Sequence, residues 1–491
     1  MKFLHASLIV AAIMLLGRIS GFLREIVIAQ IGGASQQSDV MIVLLTFPDM
    51  MISLLLGGGL MAALVPSFHS LPRRASFALF LRASLLVGGI FGLLALVMGV
   101  FSIPVLGIVA PGWAEDLVVQ TTPLFRITLI ALPITALSGV VAAFLNSKEQ
   151  FTFGAIGTLI FNCSLILTLL LFARLSPSIA LVIGILCGVA LRLAVQLTAS
   201  WRFWETPDFS MPYDRSGLLR RFAGSFGFFS ILALLPPMAR SFASLVEPGA
   251  LSMFNYAYKL TALPMAIIVA AIVTVLLPRL SGYVRDREPE QAAQTLGMAL
   301  RAVCILLLGI SVATIFQAGT VVQIVFFGAA FTAEQFHDIA AVVSIAFVGV
   351  PFQGLVLLYG TAFVSYDRTG ALVQVSVVMV VVMASTSFYL QSIWGVNGLM
   401  LAYVLSQVTG ALMLTIGLLR ITGIGPFVIA LNLPLLSIFL PVAICLILSW
   451  FFREINFKGL PALLLSVGAF FAVHLGADPI IVKSIVNRQK S

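Results

Sequence analysis

The stretch Leu4–Ile31, LHASLIVAAIMLLGRISGFLREIVIAQI, decides the architecture. It is longer than the roughly 20 apolar residues a helix needs to cross a hydrocarbon core about 30 Å thick. Yet it carries Arg18, Arg24 and Glu25. A cleaved leader has a short apolar core followed by a small-residue cut site. This run has neither, so it reads as a helix that stays in the protein. An ionised side chain at depth costs at least about 2.5–3.5 kcal/mol on insertion scales. The three charges therefore need partners or a watery cavity, and they are the first candidates for function.

Outward from this helix the chain repeats the pattern. Of 491 residues, 61% are hydrophobic and 9% charged, and the mean hydropathy of +1.14 leaves no soluble domain. Spans are expected near 5–31, 36–66, 75–106, 117–146, 151–173, 177–201, 216–246, 248–280, 289–318, 333–364, 368–391, 395–420, 430–452 and 459–482, about fourteen in all. The expected class is an all-α polytopic membrane protein. A net charge of +9 would suggest nucleic acid in a soluble chain, but here the bases sort by side. Arg73, Arg74, Lys148, Arg202, Arg215, Arg220, Arg221, Arg279, Arg285, Arg287, Arg368, Arg420, Lys483, Arg488 and Lys490 fall on one side, against Arg174, Arg453 and Lys458 on the other. The positive-inside rule then places both termini of a multi-pass protein in the cytoplasm, and nucleic acid drops out as a partner. Cys163, Cys187, Cys304 and Cys445 lie in apolar runs without paired spacing and read as small buried hydrophobes. The four histidines suggest no metal site, and no cofactor is expected.

The halves agree at an offset near 212–219 residues. Leu64-Val65-Pro66 answers Leu276-Leu277-Pro278, and Ala143-Phe144 before Asn146-Ser147-Lys148-Glu149 answers Ala362-Phe363 before Tyr366-Asp367-Arg368. Six spans per repeat is even, so the repeats share one orientation. The expected organisation is an N-lobe at 1–201, an interfacial cytoplasmic linker at 202–221 beginning beside Trp201 and Trp204, a C-lobe at 222–420, and two further spans with a tail at 421–491. The two six-helix lobes are expected to face a central cavity.

The candidate charges inside spans are Arg18, Arg24 and Glu25 in span 1, Asp49 in span 2, Arg126 in span 4, Arg240 in span 7 and Lys259 in span 8: five bases against two acids. Buried structural pairs should balance, so the surplus points to a visiting anion. Arg18, Asp49 and Lys259 all fall within a turn or two of mid-membrane. Arg18 and Glu25 share a helical face, with Arg24 about 120° away. Structural readings compete at each: Arg18 with Glu25 or Asp49 fits a buried pair, and Arg126 and Arg240 lie near span ends, where snorkelling explains them. Gly17, Gly21 and Pro48 read as hinges, the glycines equally as a packing face. Gly57-Gly58-Gly59 weakens span 2 further.

Arg18-Ile-Ser-Gly-Phe-Leu-Arg-Glu25 with Ser38-Asp39, Phe47-Pro48-Asp49, Val65-Pro66, Ala110-Pro111-Gly112, Asn146, Asn255-Tyr256-Ala257-Tyr258-Lys259-Leu260 and Leu277-Pro278 resemble the MurJ (MviN) lipid II flippase family. The resemblance implies the fold of the multidrug/oligosaccharidyl-lipid/polysaccharide exporter superfamily, with two C-terminal helices that form a groove for a lipid tail. It implies a substrate, the undecaprenyl-pyrophosphate-linked peptidoglycan precursor, carried from inner to outer leaflet; the mechanism expected here is alternating access by a monomer. It also implies pyrophosphate binding by bases on spans 1, 2 and 8. The candidate substrate set is Arg18, Arg24, Lys259, Asp39, Asp49, Arg240 and Arg126. The chain departs from the family pattern in two places. Ile52, Ser53 and Gly57 stand where an Arg-Arg pair and an acid are usual, and Lys259 stands for an arginine. Spans 7 and 11 carry no acid, which argues against sodium coupling. Competing functions are a flippase for another polyprenyl-linked glycan, a cation-coupled drug exporter of the same fold with Asp49 or Glu25 as its site, and a membrane glycosyl transferase. Short outer loops, where Glu115 and Asp116 read as solvated, disfavour the last.

Overall fold

The computed structural model describes residues 2–56, 59–210, 231–423 and 460–477, with scattered positions between 425 and 448. Every described element is a helix. By compactness the chain divides into two units, Met1–Asn255 and Tyr256–Ser491. The division falls inside a helix, beyond the linker at 202–221 that the sequence suggests, and residues 211–221 of that linker lie outside the described set.

In the first unit the chain runs through α1 (Lys2–Gly32), α2 (Gln36–Leu56), α3 (Gly59–Ser70), α4 (Arg73–Val100), α5 (Ser102–Val109), α6 (Glu115–Leu129), α7 (Ala131–Ser147), α8 (Phe151–Phe172) and α9 (Pro177–Ser200). A short helix α10 (Ile231–Ala243) and the start of α11 (Ala250–Pro264) complete it. Spans 3 and 4, expected as single helices, are each broken, and proline accounts for both breaks. Pro104 cannot donate to the Val100 carbonyl and Pro133 cannot donate to that of Leu129, so the ladder lapses at Phe101 and Ile130. The break in span 2 falls at 57–58, outside the described residues.

Solvent-averse faces sort the helices. The α6–α7 pair is 72% buried over its apolar window and α4 only 11%. Leu85, Leu86, Leu93 and Leu96 of α4 stand outward as a lipid-facing surface. At one end of the unit Phe68, Phe77, Phe80 and Phe144 form an aromatic cluster, with Phe80 and Phe144 centroids 4.7 Å apart. Beside it the rings of Trp201 and Trp204 stack at 5.3 Å. Cys163 and Cys187 are exposed, a correction to their reading as buried hydrophobes: each lies on the outward stripe of its helix. Cys304 is half-buried, and Cys445 lies outside the described residues.

The second unit continues α11 through a π-helical turn at Met265–Val269 into α12 (Ala270–Arg285). The turn follows Pro264, whose missing N–H frees the Leu260 carbonyl. Then come α13 (Pro289–Phe316), α14 (Ala318–Val325), α15 (Ala333–Ser365), α16 (Thr369–Thr422) and α17 (Leu460–Ala477). Within α16 the backbone leaves helical geometry at Trp394 and Gly395, where spans 11 and 12 were expected to part. Gly395 has φ 55°, and a Cβ on Gly398 would lie 2.1 Å from the Leu390 carbonyl oxygen, so this corner needs both glycines. α17 packs on α13 through Phe470 against Gly309, and Gln317 donates to Ser466 Oγ at 2.8 Å. Eight helices among the described residues are long and apolar enough to cross a membrane. Most of span 13 lies outside the described set.

Candidate functional site

The buried charges of α1 are partnered, and not in the way the helical wheel suggests. Arg24, 2% exposed, donates Nη1 to Asp49 Oδ1 at 3.0 Å and Nη2 to Asp49 Oδ2 at 2.6 Å, a bidentate fork across to α2. Its Nη2 also reaches Glu25 Oε1 at 2.8 Å, and its Nη1 reaches Asn162 Oδ1 of α8 at 3.1 Å. Asn162 in turn donates to the Gly17 carbonyl at 3.1 Å and to Ser20 Oγ at 3.3 Å. Asn255 of α11 donates to Glu25 Oε2 at 2.9 Å. One base and two acids thus tie four helices together, and the structural pair that the sequence allowed to Arg18 belongs to Arg24.

Three other candidates have structural partners. Asp39 is buried and accepts from the backbone N–H of Gly249 at 2.7 Å and of Ser252 at 2.8 Å. These N–H groups open α11 and have no partner inside the helix, so Asp39 caps it from α2. Gly249 has φ +92°, and a Cβ there would lie 2.5 Å from the Ala34 carbonyl oxygen, which fixes glycine at this junction. Arg126 is exposed and donates Nε to the Gly99 carbonyl at 3.1 Å and to Ser102 Oγ at 2.9 Å, across the α4–α5 break. Arg240 is half-buried on α10 and its Nε lies 3.4 Å from the Pro236 carbonyl. Gly17 and Gly21 both face α8: a Cβ at Gly17 would lie 3.4 Å from Thr158 Cβ, and one at Gly21 3.1 Å from Asn162 Nδ2. Pro48 sits buried within a continuous α2.

Arg18 is placed differently. It is exposed and lines a cavity of about 440 Å³ together with Val10, Met14, Ile52, Met61, Asn146, Phe151, Gly154, Ala155 and Thr158. Among the described residues Asn146 Oδ1 is buried and accepts no hydrogen bond, and Asn146 Nδ2 lies 3.5 Å from Met61 Sδ. The cavity therefore offers a guanidinium, an amide and one threonine among otherwise apolar residues, which suits an anionic group on a greasy carrier. Ile52 is part of that wall. The cavity reaches Asn146 and Phe151, which flank the turn carrying Lys148. Lys148 lies outside the spans, and burial pushes its ammonium below the usual lysine range, with Arg73 adding to the effect and Glu205 opposing it.

Lys259 belongs to the second unit, half-buried on α11. Near it within that unit Tyr258 meets Tyr403 edge-on at 5.7 Å, and Tyr256 packs on Phe326 and Phe331.

Sequence reasoning missed Asn162 and Arg192. Asn162 breaks the apolar run LIFNCSLIL, and a lone amide in such a run is a packing signal. Arg192 lies nine residues before the expected end of span 6, close enough to read as interfacial, yet it is 1% exposed.

Solved structures of the same fold include "Lipid II flippase MurJ, inward closed conformation", with TM-score 0.79 and 16% identity over 98% of this chain and 100% of that one. An inward-facing multidrug resistance MATE family transporter of the MOP superfamily follows at TM-score 0.67 and 14% identity, over 84% of this chain and 98% of that one. Among curated relatives, the lipid II flippase MurJ of Burkholderia cenocepacia is 25% identical over 85% of this chain and 84% of its own length. The probable lipid II flippase MurJ of Aquifex aeolicus is 22% identical over 74% of this chain and 72% of its own. The family model described as lipid II flippase MurJ matches residues 28–469, and the chain belongs to that family.

Proposed function

We propose that the protein carries the undecaprenyl-pyrophosphate-linked peptidoglycan precursor, lipid II, from the inner to the outer leaflet of the bacterial cytoplasmic membrane. It does so as a monomer with both termini in the cytoplasm, without chemical conversion of the lipid. Beyond family membership, the observation that supports this reading is Arg18, presented in a cavity of about 440 Å³ while its neighbour Arg24 is held by two carboxylates.

In this reading Arg18 meets the pyrophosphate first, with Asn146 as a hydrogen-bonding wall, and the prenyl chain stays among lipid. Arg24 engages the anion only if Asp49 releases its fork, so binding and rearrangement of α2 against α1 are coupled, with Gly17, Gly21 and Pro48 as bending points. Lys259 is a separate proposal, a phosphate contact made as a point charge. An inside-negative potential favours outward passage of an anion and return of a positive empty site, by about 2.3 kcal/mol per charge per 100 mV.

The test is replacement of a depleted lipid II flippase in a bacterial host. The native chain should restore growth and wall synthesis, and Arg18→Ala at equal membrane level should not. Rescue by Arg18→Ala would remove Arg18 from the mechanism. Failure of the native chain would favour another polyprenyl-linked glycan, the reading to which Ile52 in the cavity wall lends support.

A further inference from the structure

Arg192 of α9 is among the largest fully buried side chains of the protein, and its Nε, Nη1 and Nη2 make no hydrogen bond. No carboxylate pairs with it among the described residues. The contrast with Arg24, which has acceptors on Asp49, Glu25 and Asn162, is complete. Its place is specific. A Cβ on Gly157 of α8 would lie 2.8 Å from Arg192 Nε and 3.0 Å from its Cγ, so the guanidinium lies under α8 in the space that glycine leaves. The next residue of α8, Thr158, lines the Arg18 cavity with Gly154 and Ala155. One turn along α9, Gln196 accepts from Ser138 Oγ of α7 at 2.5 Å. One turn before Ser138 stands Thr135, fully buried and with an unpartnered Oγ1.

A buried charge without a counter-charge is a stability cost that evolution removes easily, because apolar residues of similar volume are neutral or stabilising at such sites. A buried arginine placed at such a cost to folding points to a role outside it. We propose that Arg192 is a positioning charge for the anionic headgroup, holding uncompensated positive charge one helix behind the Arg18 cavity. The ligand class is a pyrophosphate or phosphate ester, and the inference rests on the function proposed above. One helix diameter is about 10 Å. At that distance, in an effective dielectric of about 20, a unit charge shifts binding of a singly charged ligand roughly tenfold, and more for a doubly charged one. Arg192 acts through space, with Gly157 keeping it close to the cavity wall.

The experiment uses the full chain in nanodiscs, with undecaprenyl pyrophosphate as probe and uncharged undecaprenol as control. Arg192→Met should melt at or above the native temperature yet bind the pyrophosphate at least tenfold more weakly, with undecaprenol binding unchanged. Arg192→Lys should recover most of the affinity. Unchanged pyrophosphate affinity in the Met variant overturns the proposal, as does a Met variant that melts lower or fails to accumulate, since either marks Arg192 as a structural group. Arg18→Gln separates the two claims. Weakened binding there with none at Arg192→Met overturns this inference alone, whereas no weakening at either site removes the anion-binding reading itself.

Discussion

Replacing Arg24 with methionine should destabilise the first unit, and the size of the effect distinguishes a structural centre from a site kept for substrate. Arg24 and Glu25 have side chains 2% exposed, and Asp49 is 22% exposed. Removing the base leaves two carboxylates facing each other without the guanidinium that bridges them. Glu25 keeps its bond from Asn255, while both oxygens of Asp49 lose the Arg24 fork. Breaking a buried pair by removing one member costs about 3–5 kcal/mol. The partial exposure of Asp49 lets water or a proton relieve some of that, so the lower end is expected, a fall in melting temperature on the order of 10 °C for a unit of this size. The compensated variant Arg24→Met/Glu25→Gln/Asp49→Asn removes every charge and should recover most of the stability. It should not recover rescue of a flippase-depleted host. The assay is thermal unfolding in detergent followed by intrinsic tryptophan fluorescence, beside rescue at matched membrane levels. If Arg24→Met melts within a degree or two of the native protein, or the triple variant melts no higher than the single one, the assignment of Arg24 as the unit's structural centre is wrong.

Two further outcomes follow from the same geometry. Gly112→Ala would put a Cβ 1.9 Å from the Ser244 carbonyl oxygen and disturb the 3.1 Å bond from Gly112 N–H to Ser244 Oγ. Backbone must move, so a loss of at least about 1–3 kcal/mol is expected, and thermal unfolding equal to the native protein's would refute the close approach. Lys148 has its ammonium depressed by burial in the folded state, so between its folded value and the ordinary 10.5 the unfolded chain binds more protons. Stability therefore rises with pH through that alkaline window and levels off above it. Lys148→Met should remove that component of the slope in melting curves taken from pH 7 to 10.5, and an identical slope would show that Lys148 is fully solvated.

The fold was legible in the sequence because the membrane makes it so. Backbone groups in hydrocarbon must bond within their own segment, so apolar length alone names helices. The parting of spans 11 and 12 was legible too, since the expected bounds 391 and 395 flank the place where the backbone leaves helical geometry, at Trp394 and Gly395. What the sequence concealed is where helices lapse. Pro104, Pro133 and Pro264 sit inside apolar runs, and hydropathy does not register a missing N–H. The resemblance to the family was carried by motifs at helix ends and charges, and the family model's match over residues 28–469 bears it out.

The charges were harder to read for a reason that also changes the mechanism. A count of five bases and two acids treats them as one pool, and a helical wheel assigns Glu25 to Arg18 because residues seven apart share a face, whereas neighbours at i and i+1 diverge. The structure assigns it to Arg24. A long guanidinium bends back over its own neighbour because Asp49 on α2 and Asn162 on α8 draw it into the space they share, at 2.6 Å and 3.1 Å. Periodicity within one helix cannot show a partner on another. Arg24 takes both of the counted acids, and Arg192, absent from the first count, is a further buried base. On the proposed reading, the anion's first attraction is to the cavity lined by Arg18 and Ile52, with Arg192 behind it. The paired Arg24 becomes a group the anion can reach only in competition with Asp49. On that reading, binding is coupled to movement of α2 against α1, which a carrier requires and a static receptor does not.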